Sequence, residues 1–113
     1  MTVTIYHNPR CNKSRQTLAL LEARGIEPHV VEYLKTPPDK AELKHLLKLL
    51  GMAPRQLLRA KEAKEAGLDR PELSDDQLIA GMIKNPITIE RPIVVKGARA
   101  ALGRPPEAVL KIL

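Results

Sequence analysis

The chain contains no phenylalanine and no tryptophan, and Tyr6 and Tyr33 are its only phenolic rings. Its core must therefore be mostly aliphatic, and it lacks the aromatic platform on which nucleobases stack. Cysteine occurs once, at Cys11. An internal disulfide and a cysteine-based zinc cluster are thereby excluded, and a lone thiol suits a reducing compartment. No apolar run approaches the ~20 residues a membrane helix needs. The start, MTVTIYHNPR, lacks the basic-then-apolar order of a secretory leader. The expectation is a soluble, cytoplasmic protein with no membrane association, no metal and no bound cofactor.

What is present fits one domain: 113 residues, 43% of them hydrophobic, with a net charge of +6. That length buries a core without disulfides. A basic balance raises the question of nucleic acid, but the pattern argues against it. In KAELKHLLK and AKEAKEAGLDRPE the cations alternate with carboxylates, as on solvated helix faces. A small anionic substrate accounts for the charge equally well, and no nucleic acid is expected as a partner.

Hydrophobic periodicity sets the order of elements. Thr2–Tyr6 alternates as a strand until Pro9, which cannot donate to a ladder. Asn12 onward reads as a helix closed by Gly25, and His29–Tyr33 as a second strand. Strand, helix and strand joined this tightly predict a parallel βαβ unit. Asp39 with Glu42 has capping-box spacing, and Leu43, Leu46, Leu47 and Leu50 form a core-facing stripe ended by Gly51. PRQLLRAKE reads as one short helical piece. Ser74 with Gln77 opens a further helix that Pro86 ends. Ile93–Val95 and Ala98–Leu102 flank Lys96-Gly97 as an antiparallel hairpin, and EAVLKIL follows Pro105-Pro106 as a terminal helix. The expected fold is α/β: a thioredoxin-like (glutaredoxin-like) mixed sheet flanked by helices. A helical insertion at about residues 50–88 precedes the C-terminal hairpin.

The segment YHNPRCNKSR holds the most chemistry. Cys11 lies between a strand and the start of a helix, where unsatisfied N–H groups and the positive end of the dipole favour a thiolate. Arg10, Lys13 and Arg15 add positive charge, and the same N–H groups suit a phosphate-like oxyanion. Ser14 stands where a second cysteine would complete a dithiol, so turnover needs a thiol from outside. Thr17 stands where the Cys-x5-Arg phosphatase loop requires arginine.

YHNPRCNKSR, LLRAKE around Arg59, ERPIVV around Arg91 and GRPPE around Arg104 resemble, in order and spacing, the glutaredoxin-coupled (ArsC-like) arsenate reductases. The resemblance runs from Thr2 to Leu113 and favours a shorter branch of that group. The established reductases carry Gly-Thr where this chain has Asn12-Lys13. The resemblance implies that Cys11 attacks arsenate, or another small oxyanion, and that glutathione and glutaredoxin act as external reductants. It implies that Arg59, Arg91 and Arg104 bind the anion, that His7 helps lower the cysteine pKa and that Ser14 bonds near the thiolate. It also implies a cis peptide at Pro92. A monomer is expected. Two other readings stay open: a regulator of the related Spx group that binds RNA polymerase, and a general glutathione-linked thiol oxidoreductase.

Overall fold

In the computed structural model, which describes residues 2–113, β-branched Val3, Thr4 and Ile5 open strand β1 (Val3–His7). Pro9 closes it, and helix α1 follows over Asn12–Ala23. Gly25, at φ +75°, turns the chain with a left-handed conformation that other residues adopt only at a cost. Strand β2 (His29–Glu32) then pairs parallel to β1, with Thr4 opposite His29 and His7 opposite Glu32. The expected βαβ unit is formed.

The hairpin is also formed. Strand β3 (Ile93–Lys96) runs antiparallel to β1, with Ile5 opposite Val94, and β4 (Arg99–Leu102) returns beside β3 after Gly97. The sheet order is β2-β1-β3-β4, a mixed sheet of the thioredoxin-like kind. The terminal EAVLKIL segment is helical but winds as a 3₁₀ helix over Pro106–Ile112. Its bonds close three residues back, from the Ala108 N–H to the Pro105 carbonyl and from the Leu113 N–H to the Leu110 carbonyl, the tighter pattern common in short terminal pieces.

One face of this sheet carries the aliphatic core that the missing rings require. Val3, Ile5, Leu21, Val94, Val109 and Ile112 are buried together, with Leu18, Leu20, Ile26 and Ala101 packed against them. Each such side chain contributes roughly 1.5–3 kcal/mol by leaving water. This packing anchors α1, and with it Cys11, against β1 and the terminal 3₁₀ helix.

The chain divides into two units: the part up to Thr36 with Arg91–Leu113, and Pro37–Glu90. The second unit holds α2 (Lys40–Leu50), α3 (Pro54–Leu57), α4 (Ala60–Glu65) and α5 (Asp75–Lys84). Asp39 caps α2 by accepting from the Glu42 N–H at 2.7 Å, and Gly51 ends it at φ +66°. Leu43, Leu46 and Leu47 of the leucine stripe are buried. The Ser74–Gln77 capping box forms in both directions at the start of α5.

One expectation fails in this unit. PRQLLRAKE is not one helix: it breaks at Leu58 and Arg59, which are extended. Leu58 bridges Ile89, the Arg59 N–H donates to the Thr88 carbonyl and the Glu90 N–H to the Leu57 carbonyl, both at 2.8 Å. A long-range backbone pairing here replaces the local helical bonds that the residue types favour. Among the described residues no helix is long and apolar enough to cross a membrane.

Candidate active site

The site is built where β1 ends and α1 begins. Asn8, buried between them, makes three bonds: its carbonyl accepts from the Cys11 N–H at 3.0 Å, its Oδ1 accepts from the Arg10 N–H at 3.0 Å, and its own N–H donates to Ser14 Oγ at 3.0 Å. This Asx-type turn folds Pro9 and Arg10 outward and sets Cys11 as the residue preceding α1. The Arg15 N–H donates to the Cys11 carbonyl at 3.0 Å, closing the first helical turn.

Beneath this loop, Ser14 is fully buried and its Oγ lies 2.6 Å from Nδ1 of His7, itself buried at the end of β1. Burial pushes the His7 pKa below the ordinary histidine value; the carboxylate of Glu32 opposes that shift and the cation of Arg15 adds to it. His7 is thus neutral near pH 7 and joins the loop through Ser14.

Two arginines approach the sulfur from the other end of the sequence. Arg104 Nη2 donates to Cys11 Sγ at 3.4 Å, and its Nε donates to the Arg91 carbonyl at 2.7 Å. Arg91 is only 5% exposed, and its guanidinium acts on the thiol to lower its pKa. The Arg91–Pro92 and Arg104–Pro105 peptides are both cis, and the Gly103 N–H donates to the Pro92 carbonyl at 2.9 Å.

Partial burial by itself would push the Cys11 thiol up, since it penalises the charged form. The Ser14 backbone N–H, the Arg91 hydrogen bond and the charges of Arg104 and Arg91 outweigh it, so the pKa falls below the ordinary thiol value. The Cys11 side chain makes no capping hydrogen bond in the first turn of α1. Cys11 remains half-exposed, so the thiolate is accessible as well as stabilised. A half-exposed thiol whose ionised form is favoured by two guanidinium groups has the equipment to attack an electrophile that carries negative oxygens.

Cys11, His7, Ser14, Arg91, Arg104 and Pro92 thus all belong to the first unit, and the bonds above link them. Arg59 lies in the second unit, where its guanidinium pairs with Glu62 at 3.2 Å and Glu90 at 3.3 Å. Among the described residues no group of three or more His, Cys, Asp or Glu is placed to hold a metal.

Three residues matter here that sequence reasoning passed over. Asn8 shapes the loop; an asparagine before proline at a strand end was the available signal. Thr17 is buried on α1 and its hydroxyl donates to the Lys13 carbonyl at 2.8 Å. Gly103 packs against Thr17 and Pro92 so closely that a methyl group would collide with both. A glycine directly before Arg104-Pro105 was its only trace in the sequence.

The sheet order, with its one cysteine at the start of α1, defines a thioredoxin-fold protein. The chain belongs to the ArsC family, whose model matches residues 6–112. It is 55% identical to YfgD of Escherichia coli strain K12 over 98% of this chain and 96% of that protein. It is 50% identical to the arsenate reductase of Rhizobium meliloti strain 1021, covering all of this chain and 82% of that one. The solved arsenate reductase of Vibrio cholerae superposes with a TM-score of 0.95 at 53% identity, covering 100% of this chain and 98% of that one.

Proposed function

We propose that the protein is an arsenate reductase in which Cys11 is the nucleophile and external thiols supply the electrons. The observation that carries this reading is the pair Arg91 and Arg104 on the sulfur of Cys11, with the Arg104 contact at 3.4 Å. Arsenate is a phosphate-like oxyanion, and guanidinium forks suit its oxygens. Cys11 Sγ attacks arsenic and a hydroxide leaves as water, giving a thiol–arsenate adduct. A glutathione thiolate then attacks the cysteine sulfur. The S–As bond breaks with its electron pair going to arsenic, arsenite departs, and Cys11 is left in a mixed disulfide with glutathione. Glutaredoxin restores the thiol.

In this reading Arg91 and Arg104 serve twice, holding the thiolate before attack and the oxyanion during it. The family resemblance assigns Arg59 as a third anion-binding arginine; within its own unit its guanidinium pairs with Glu62 and Glu90. Ser14 and neutral His7 keep the loop in register behind the sulfur. The test is arsenite release from arsenate with glutathione and glutaredoxin, comparing the native protein with Cys11→Ser. Turnover that requires Cys11 supports the reading. Absence of arsenite from a preparation whose Cys11 still alkylates as a low-pKa thiol overturns the substrate while retaining the site.

A further inference from the structure

The loop that carries the nucleophile contributes little to the apolar core. Pro9, Arg10, Asn12 and Lys13 are exposed, and Cys11 is half-exposed. A loop of this kind keeps one conformation through its hydrogen bonds rather than through packing. At its inner end Asn8 is only 3% exposed, and a buried amide is stable there when its polar atoms are bonded.

The constraints on the loop converge on Asn8. Pro9 after it favours an extended backbone. The Asn8 carbonyl accepts from the Cys11 N–H, and the Asn8 N–H donates to Ser14 Oγ, both at 3.0 Å. Any residue but proline supplies these two backbone groups. The third bond, from the Arg10 N–H to Asn8 Oδ1 at 3.0 Å, requires the side chain. Arg10 directly precedes Cys11, so this bond sets the direction in which the chain enters Cys11. The groups that meet the sulfur are fixed from elsewhere. Arg91 is buried, and Arg104 donates from Nε to the Arg91 carbonyl and from Nη2 to Cys11 Sγ at 3.4 Å. A donor held from one side and a sulfur held from the other meet only when both are in place.

We propose that Asn8 is a positioning residue for the nucleophile: its carboxamide, through the Arg10 N–H, fixes the entry of the chain into Cys11 and so delivers the sulfur to the guanidinium of Arg104. The groups acting directly on the thiol are the Ser14 amide, Arg91 and Arg104; Asn8 acts through where they meet the sulfur. This role deepens the reductase reading and rests on Cys11 as its nucleophile.

Alkylation of Cys11 by iodoacetamide across pH tests the role without arsenate, so its outcome is independent of the substrate. Asn8→Ala removes Oδ1 and alters no charge: His7, Arg10, Lys13, Arg15, Arg91 and Arg104 all remain, and a moved profile reports geometry. The midpoint should rise by about 0.5–1 unit, a roughly three- to tenfold slower reaction at pH values below the native midpoint. Asn8→Ser, whose hydroxyl makes the same turn more weakly, should lie between alanine and the native protein. In an Arg104→Met background the alanine shift should shrink to less than about half, because the two residues act on one contact. If alanine prevents folding, the same comparison is made with Asn8→Ser. A general loosening of the fold would lower Tm and either leave the midpoint or shift it equally in both backgrounds. An unmoved midpoint, or equal shifts with and without Arg104, overturns the proposal.

Discussion

Replacing Gly103 with alanine adds one methyl group at the point where the hairpin meets α1. The backbone at Gly103 is not left-handed, so alanine suffers no conformational penalty there, and the effect is steric. The added carbon would overlap Thr17 Oγ1, lie 2.7 Å from Cγ of Pro92 and 3.1 Å from Cγ2 of Thr17. Thr17 is pinned by its branched side chain and its bond to Lys13, and Pro92 is a ring fixed in the backbone, so neither can rotate away. Overpacking of this kind costs about 1–3 kcal/mol, which for a domain of this size lowers Tm by about 4–13 °C. Thr17 lies on α1, which begins directly after Cys11, Pro92 follows Arg91, and Arg104 follows Gly103. The strain therefore separates the guanidinium groups from the sulfur, and iodoacetamide should alkylate Cys11 more slowly at neutral pH. Gly81→Ala is the control. Its methyl group meets Cδ2, Cδ1 and Cγ of the buried Leu68 side chain, which unlike a proline ring can change rotamer, and alanine gains up to about 1 kcal/mol inside a helix. Its net change should stay within about 1 kcal/mol of zero. Thermal denaturation followed by circular dichroism reads both variants. A Gly103→Ala protein with native Tm and native alkylation rate would refute the close-packing argument.

Three further outcomes follow from the contacts described. Arg104→Met removes the charge and the donor at 3.4 Å from Cys11 Sγ; the thiol pKa should rise, moving the pH profile of alkylation to higher pH, and an unmoved profile would remove Arg104 from thiol activation. The folded-state pKa of His7 is depressed, so its contribution to stability is complete above the unfolded value of ~6.5 and is lost as pH falls from there through the folded value. Urea midpoints measured from pH 7.5 down to pH 5 should therefore fall less steeply in His7→Gln than in the native protein, and parallel slopes would refute this. Ser74→Ala abolishes the bond from the Gln77 N–H; the loss of the cap should cost ~0.5–2 kcal/mol in urea denaturation, and no change would show that the cap is dispensable.

Much of this protein is decided locally and was legible as such. Alternation specifies β1, a compact β-branched run specifies β3, the Ser74–Gln77 spacing starts α5, and Gly25 and Gly51 end helices. These features depend on bonds between residues a few positions apart, which residue type and spacing determine. The same holds for Cys11 at the head of α1, because a strand, a proline and a helix former in succession leave one place for it. What tertiary structure alone decided involves partners distant in the chain. Leu58 leaves a helical sequence to pair with Ile89, and the guanidinium of Arg59 is shared between Glu62 and Glu90. Gly103 is required by the nearness of Thr17 and Pro92. Arg104 reaches a sulfur 93 positions away only because β3 lies beside β1 and carries the end of the hairpin to the start of α1. Family resemblance singled out that arginine from a chain with 19 basic residues; periodicity and propensity could not, because they describe neighbours in sequence, whereas the packing of the sheet makes neighbours in space.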